Sequence, residues 1–374
     1  MRIAFYAPLK SPHHPVPSGD RRVARLLLVA LRRAGHDVHL ASRLRAFDGE
    51  GDIRHQAQIK KRAKALVKRY LQRHGNRPPD LWFTYHLYHK APDWLGPAIS
   101  AAFSIPYIVA EASLAPKQVN GPWSEGHAAV DAAVRQAARI LVLNPDDSAC
   151  LAPLLDDPDT LVAVSPFIDT RSARQAVVAR QKHRAALSAN FGVPSDTLWI
   201  VVAAMMRWGD KLESYRILAR AKQQLRDLKL TWLVAGDGPA RGDVEMVLGQ
   251  RDTVFLGALN AREIEILHAA ADLVAWPASR EAFGMALLEA QAAGVPVVAG
   301  ASPGVAQIVA HGETGLLTPT GDDTMLASAM RRLVEDQKLR EGMGLAAMKK
   351  VERLHDIDVA MRQIDCILRE AIAG

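Results

Sequence analysis

Twice along this chain a series of short apolar strands alternates with helical or polar segments, and between the two series the alternation stops. The first series opens with RIAFYA (2–7), a loop rich in Pro, His and Gly, and a helix over 20–34 closed by Gly35; HDVHLAS, DLWFTYH, IPYIVAEAS and ARILVLN follow as strands. The second runs LWIVVAAMM, LTWLVAG, TVFLG, ADLVAWP and PVVAG. Strands this apolar are buried on both faces, and helices between them cross from one parallel strand to the next. The pattern predicts two Rossmann-like, doubly wound α/β domains. A length of 374 residues agrees, being too great for one ordinary core. We place the first domain at 1–170, the second at 171–355, and a helix at 356–374 that packs back on the first. The connection, 165–194, opens with SPFIDT as a proline-containing strand and continues as a basic helix through RQAVVARQKHRAAL. Two such sheets facing across a cleft would bind ligand outside the carboxyl ends of their strands.

Composition excludes several classes. With 49% hydrophobic and 23% charged residues, and apolar runs broken by charge, the chain reads as soluble and globular. MRIAFYAPLK enters directly as a strand and lacks the apolar core of a signal peptide. Cys150 and Cys366 suggest neither a disulfide framework nor a zinc site, and a cytoplasmic location is expected. The net charge of +7 is uneven: residues 53–79 hold nine Lys or Arg and no Asp or Glu, with Ile59, Ala63, Leu66, Val67, Tyr70 and Leu71 at helical spacing. Such a helix can rest on an anionic membrane face, here the inner one, or pack its stripe on its own domain; both readings stand. Nucleic acid is not expected, because no stacking aromatics accompany the charge.

The most informative stretch is ADLVAWPASREAFGMALLEAQAAGVPVVAG (271–300). Glu281 lies in a loop and Glu289 eight positions on, inside a helix starting near Gly284, too far apart for a glycosidase acid–base pair. Free N–H groups around Gly284, Met285 and Ala286 suit a phosphate. The block resembles the signature of glycosyltransferase family 4, whose members share the two-lobed GT-B architecture. That resemblance implies a retaining enzyme using a nucleoside diphosphate sugar, with Glu281 by the donor sugar, Glu289 on the ribose, and Phe283 to Ala286 against diphosphate and sugar hydroxyls. AAMMRWGDK resembles the family's cationic loop, implying that Arg207 and Lys211 neutralise the departing diphosphate. WLVAGDGPARGD resembles its Gly-Asp-Gly-Pro turn: Gly236 and Gly238 either let backbone approach the nucleotide or simply make the turn. ASPGVAQIVAHGETGLL resembles a further loop, but Pro303 stands where Gly is common and Gln307 where Glu is common.

In the first domain Gly19, just before the first helix, suits a backbone approach to the diphosphate. The family often has a His after the strand equivalent to PYIVAEAS; this chain has Glu111-Ala112-Ser113. Glu111, His86 and His127 are the candidates for that place, and Lys117 for an anionic acceptor. Neither metal nor cofactor is expected: Asp322-Asp323 reads as a helix N-cap, and the resemblance implies that cations and helix dipoles replace a divalent ion. The expected reaction is a front-face transfer to a hydroxyl of a glycan, lipid-linked or small-molecule acceptor. Two alternatives remain open, a sugar-nucleotide epimerase of the same fold and a non-catalytic nucleotide-sugar-binding protein.

Overall fold

The computed structural model describes residues 1–16 and 18–373, and they divide into two units, 1–165 with 357–374, and 166–356. The first is built on six parallel strands: β1 (Arg2–Tyr6), β2 (Asp37–Leu40), β3 (Leu81–Leu87), β4 (Tyr107–Ala112), β5 (Arg139–Val142) and β6 (Leu161–Ala163), in the order β2-β1-β3-β4-β5-β6. Ile3 pairs with both Val38 and Leu81, and Phe5 stacks on Phe83 at 5.7 Å, so the strand centres are apolar on both faces. β6 was not foreseen, since its three residues follow a 3₁₀ turn and are only partly buried. The helix Gly19–Arg33 starts where Ser18 accepts from the Arg21 N–H, an N-cap that satisfies one orphan donor.

The helix Ile53–His74 carries the acid-free basic stretch. Ile59, Ala63 and Tyr70 are buried, and Leu66, Val67 and Leu71 pack against the same core. Its apolar stripe is thus used within its own unit, and the outer face shows Arg54, Lys61, Arg62, Lys64, Lys68 and Arg69. Lys60 is turned inward, paired with Glu125 and 5.1 Å from the Trp94 ring centroid. No helix among the described residues is long and apolar enough to cross a membrane.

The second unit repeats the plan with β7 (Leu198–Ala203), β8 (Leu230–Ala235), β9 (Thr253–Gly257), β10 (Leu273–Trp276), β11 (Val297–Gly300) and β12 (Gly315–Thr318), all parallel, in the order β12-β11-β10-β7-β8-β9. β12 is a second strand that sequence reading missed. SPFIDT forms no strand. Pro166 has no N–H to give a ladder, and Ile168 makes a single bridge to Asp356, with its N–H donating to the His355 carbonyl at 2.9 Å. The expected single basic helix is two, Thr170–Val178 and Arg180–Phe191. Arg180 and Arg184 both reach Asp272, at 2.8 and 2.9 Å, tying this connection to the start of β10.

The helix Ile357–Ala373 belongs to the first unit and packs on Gly19–Arg33. Asp358 meets Arg33 at 3.1 Å, Asp365 meets His36 at 3.0 Å, and the Gln363 amide donates to the Ala163 carbonyl at 2.8 Å.

Candidate functional site

In a sheet of this order the direction of winding reverses at one place, where neighbouring helices leave on opposite faces and a crevice opens at the strand ends. In the second unit that place is β7 beside β10. A recess of about 50 Å³ lies there, lined by Ala203 at the end of β7 with Ala204 and Lys211 beyond it, and by Trp276 at the end of β10 with Glu281, Gly284, Met285 and Ala286 beyond it. Lys211 forms an ion pair with Glu281 Oε2, and the Trp276 indole N–H donates to the same oxygen at 3.1 Å. The helix Met285–Ala292 begins immediately beyond, capped by Gly284 in the left-handed region. The N–H groups of Met285 and Ala286 at its start have no intrahelical partner among the described residues, which suits an anion, whereas the Leu287 N–H already donates to the Gly284 carbonyl at 2.8 Å.

The loop holding Glu281 is under strain. Ala278 and Arg280 have φ of 54° and 52°, conformations that cost a non-glycine residue about 1–3 kcal/mol each and persist only when packing imposes them. The imposing contacts are visible: the Ser279 N–H donates to Ser214 Oγ at 3.2 Å and the Ser302 hydroxyl to the Glu281 carbonyl at 3.0 Å. The opposite segment is a loop carrying Arg207 that runs into the helix Asp210–Gln223, so Lys211 stands in that helix's first turn and not in the loop; it is held by the Gly-Asp-Gly-Pro turn. Gly236 and Gly238, both at φ 152°, leave room where a Cβ would meet the carbonyls of Ala204 and Met206. The close approach they permit in this structure is therefore to the cationic loop. The Met206 N–H donates to the Asp237 carbonyl at 3.0 Å across the same contact.

The first unit has its reversal at β1 beside β3, and a polar cluster sits at those strand ends. His86 and Glu111, both at φ 62°, come within 3.6 Å of each other, and Asp20 of the first helix lies 3.1 Å from the His86 Nδ1. Burial alone would lower the His86 pKa, but Glu111, then Asp20 and Asp147, outweigh it and push it up to about 9. Burial and the Glu111 charge raise the Asp147 carboxyl to about 7 despite His86. Burial also raises Glu111, while His86 brings Asp20 down against its own burial. His127 and Lys117 are not in this cluster; both lower the His89 pKa electrostatically, behind its burial and Lys90.

The family described as glycosyl transferases group 1 matches residues 212–350. A D-inositol 3-phosphate glycosyltransferase of Kineococcus radiotolerans is 30% identical over 314 residues, covering 75% of this chain and 69% of the relative. The chain belongs to the glycosyl transferases group 1 family. A second D-inositol 3-phosphate glycosyltransferase, from Saccharomonospora viridis, is 32% identical over 64% of the chain, which spans 57% of that relative's length. Among solved structures, Anabaena HepE in complex with UDP-glucose aligns with a TM-score of 0.72 at 20% identity, covering 99% of this chain and 100% of that one. At that identity the likeness carries the GT-B fold alone.

Within this group 1 chain the residues singled out from sequence are unevenly placed. Lys211, Glu281, Gly284, Met285 and Ala286 share the recess. Arg207 is exposed on the loop before Lys211, Phe283 is half-buried beside Gly284, and Glu289 is 9% exposed and engaged within the protein. None of these three, nor Gly236, lines the recess itself. Gly19 opens its helix with no heavy atom within 4 Å of where a side chain would start. Trp276, Ser302, Asp20 and Asp147 were missed. Only Asp20 and Asp147 had a local signal, as acids in the first turn of helices that follow β1 and β5.

Proposed function

We propose that this group 1 glycosyltransferase moves a sugar, with retention, from a nucleoside diphosphate sugar to an acceptor hydroxyl. The observation that carries the reading is the meeting of Lys211, Glu281 and the N-terminus of Met285–Ala292 at the crevice between β7 and β10. Lys211 and Arg207 supply fixed positive charge to a diphosphate, and the free N–H groups of the helix bind it as it leaves, so that no metal ion is required. Glu281 orients the sugar by accepting from its hydroxyls. The leaving phosphate takes the acceptor proton on the face it vacates. Glu289 serves the ribose from behind the first turn, reached once the nucleotide is seated. Asp20, His86 and Glu111 form the acceptor-side constellation. The Anabaena neighbour binds UDP-glucose, which makes uridine the first base to try. The protein works in the cytoplasm, with the basic helix Ile53–His74 resting on an anionic inner membrane face that displays the acceptor.

The test is a thermal-shift and calorimetric panel of nucleoside diphosphates and their sugars, since a ligand of the native state stabilises it by mass action. One base should raise the unfolding temperature, Lys211→Ala should weaken that diphosphate, and chelator should leave turnover intact. A panel without a single stabilising nucleotide would sink the donor reading; full loss with chelator, restored by magnesium, would sink its metal-free form.

A further inference from the structure

Trp276 ends β10 and is 5% exposed, so its indole N–H must find a partner inside the protein. The partner is one oxygen of Glu281, Oε2, which also receives Lys211. Among the described residues Oε1 has no hydrogen-bond or ion-pair partner, although Glu281 is half-buried and lines the recess. The indole is itself fixed on its other side. Tyr215, fully buried, packs edge-on against it at 5.1 Å and 76°, and the Tyr215 hydroxyl is tied to the Ala204 carbonyl at 2.9 Å. The Lys211 ammonium stands 5.3 Å from the indole ring centroid. One side chain thus bears on both the carboxylate and the cation of the recess.

We propose that Trp276 is a positioning residue for transfer: its N–H, anchored on β10, sets the Glu281 carboxylate so that Oε1 is offered to a hydroxyl of the donor sugar. The inference rests on the donor reading above and extends it to a residue to which the resemblance assigned no role. Lys211 alone is a poor orienting group, because its ammonium sits on a flexible stem and can turn to a diphosphate. A rigid donor fixed to a strand holds the carboxylate while the cation serves the phosphate. The role predicts an effect on the sugar and none on the nucleotide, which simple space-filling by the indole would not produce.

Trp276→Phe keeps a ring against Tyr215 and deletes only the N–H. Calorimetry would compare UDP, GDP and ADP with UDP-glucose, UDP-galactose, GDP-mannose and ADP-glucose. The proteins are the wild type, Trp276→Phe, Glu281→Ala and the double variant. Affinity for the preferred nucleoside diphosphate should change less than about twofold in Trp276→Phe, and affinity for its sugar ester should fall roughly tenfold, the size of a hydrogen bond to a charged group. The double variant should bind the sugar ester no worse than Glu281→Ala, because the indole acts through that carboxylate. Trp276→His, which retains a ring N–H, should recover part of the loss and stands in should the Phe variant fail to fold. Equal weakening of diphosphate and sugar ester, or losses that add in the double variant, would overturn the inference. A folded wild type that binds no nucleotide of the panel would overturn the donor reading first, and this inference with it.

Discussion

His86 is held between carboxylates at a strand end, and its charge state decides what this cluster can do. With its pKa pushed to about 9, the imidazole is protonated at neutral pH and donates hydrogen bonds; it is no general base there. The folded value lies above the ordinary 6.5, so the stabilisation from its carboxylate partners is complete below pH 6.5 and lost as pH rises towards 9. Proton NMR of the His86 ring should show a midpoint near pH 9, and Glu111→Gln should lower it by removing the strongest of its anionic partners. A midpoint near 6.5 in the wild type would dissolve the cluster as described. The sequence showed His86 and Glu111 as neighbours of strand ends. It could not show that β3 and β4 lie side by side, which brings the two within reach and adds Asp20 and Asp147 from helices following β1 and β5.

At the scale of elements, strands set in longer apolar runs were legible. β7 to β11 announce themselves as such runs, four-residue β10 and β11 included, whereas β6 follows a 3₁₀ turn with its three residues only partly covered, and β12 sits in HGETGLLTPTG, where glycine, threonine and proline dilute the apolar signal. Glu281, Lys211 and the helix N-terminus were readable because a motif carries them. Trp276 was not, since its part depends on a hydrogen bond across a strained loop. Gly238 illustrates how an element holds a site at a distance. Gly238→Ala would force a side chain into the Met206 carbonyl, at a φ that L residues avoid, costing about 1–3 kcal/mol. Urea unfolding should show that loss, and turnover should fall further than stability explains, because the displaced loop carries Arg207 and leads into the helix turn that bears Lys211. A stable variant with full turnover would uncouple turn and loop. The basic helix yields a second element-scale expectation. Replacing Lys61, Arg62, Lys64 and Lys68 by Gln should abolish cosedimentation with anionic vesicles at low salt and leave nucleotide binding intact. Wild type and variant pelleting equally would reduce that helix to a solvated face.

Across the whole molecule, the first unit is not continuous in sequence. Residues 166–356 intervene before 357–374 supplies the helix that covers Gly19–Arg33. Ending the chain at Asp356 removes Asp358 from Arg33 and Asp365 from His36 as well as the covering helix. Hydrogen exchange should then accelerate in peptides spanning β1 and β2, with those spanning β7 and β8 unchanged; protection equal to full length in both would make the terminal helix dispensable.

Discontinuity also sets an order on the ribosome. The second unit has all its strands before residue 357 is polymerised, while the unit begun first still lacks one piece. At about 5–20 residues per second, the making of residues 166–356 takes roughly 10–40 s. Throughout it, the face of Gly19–Arg33 that awaits its partner is bare on the nascent chain, a stretch for a chaperone to hold until translation ends.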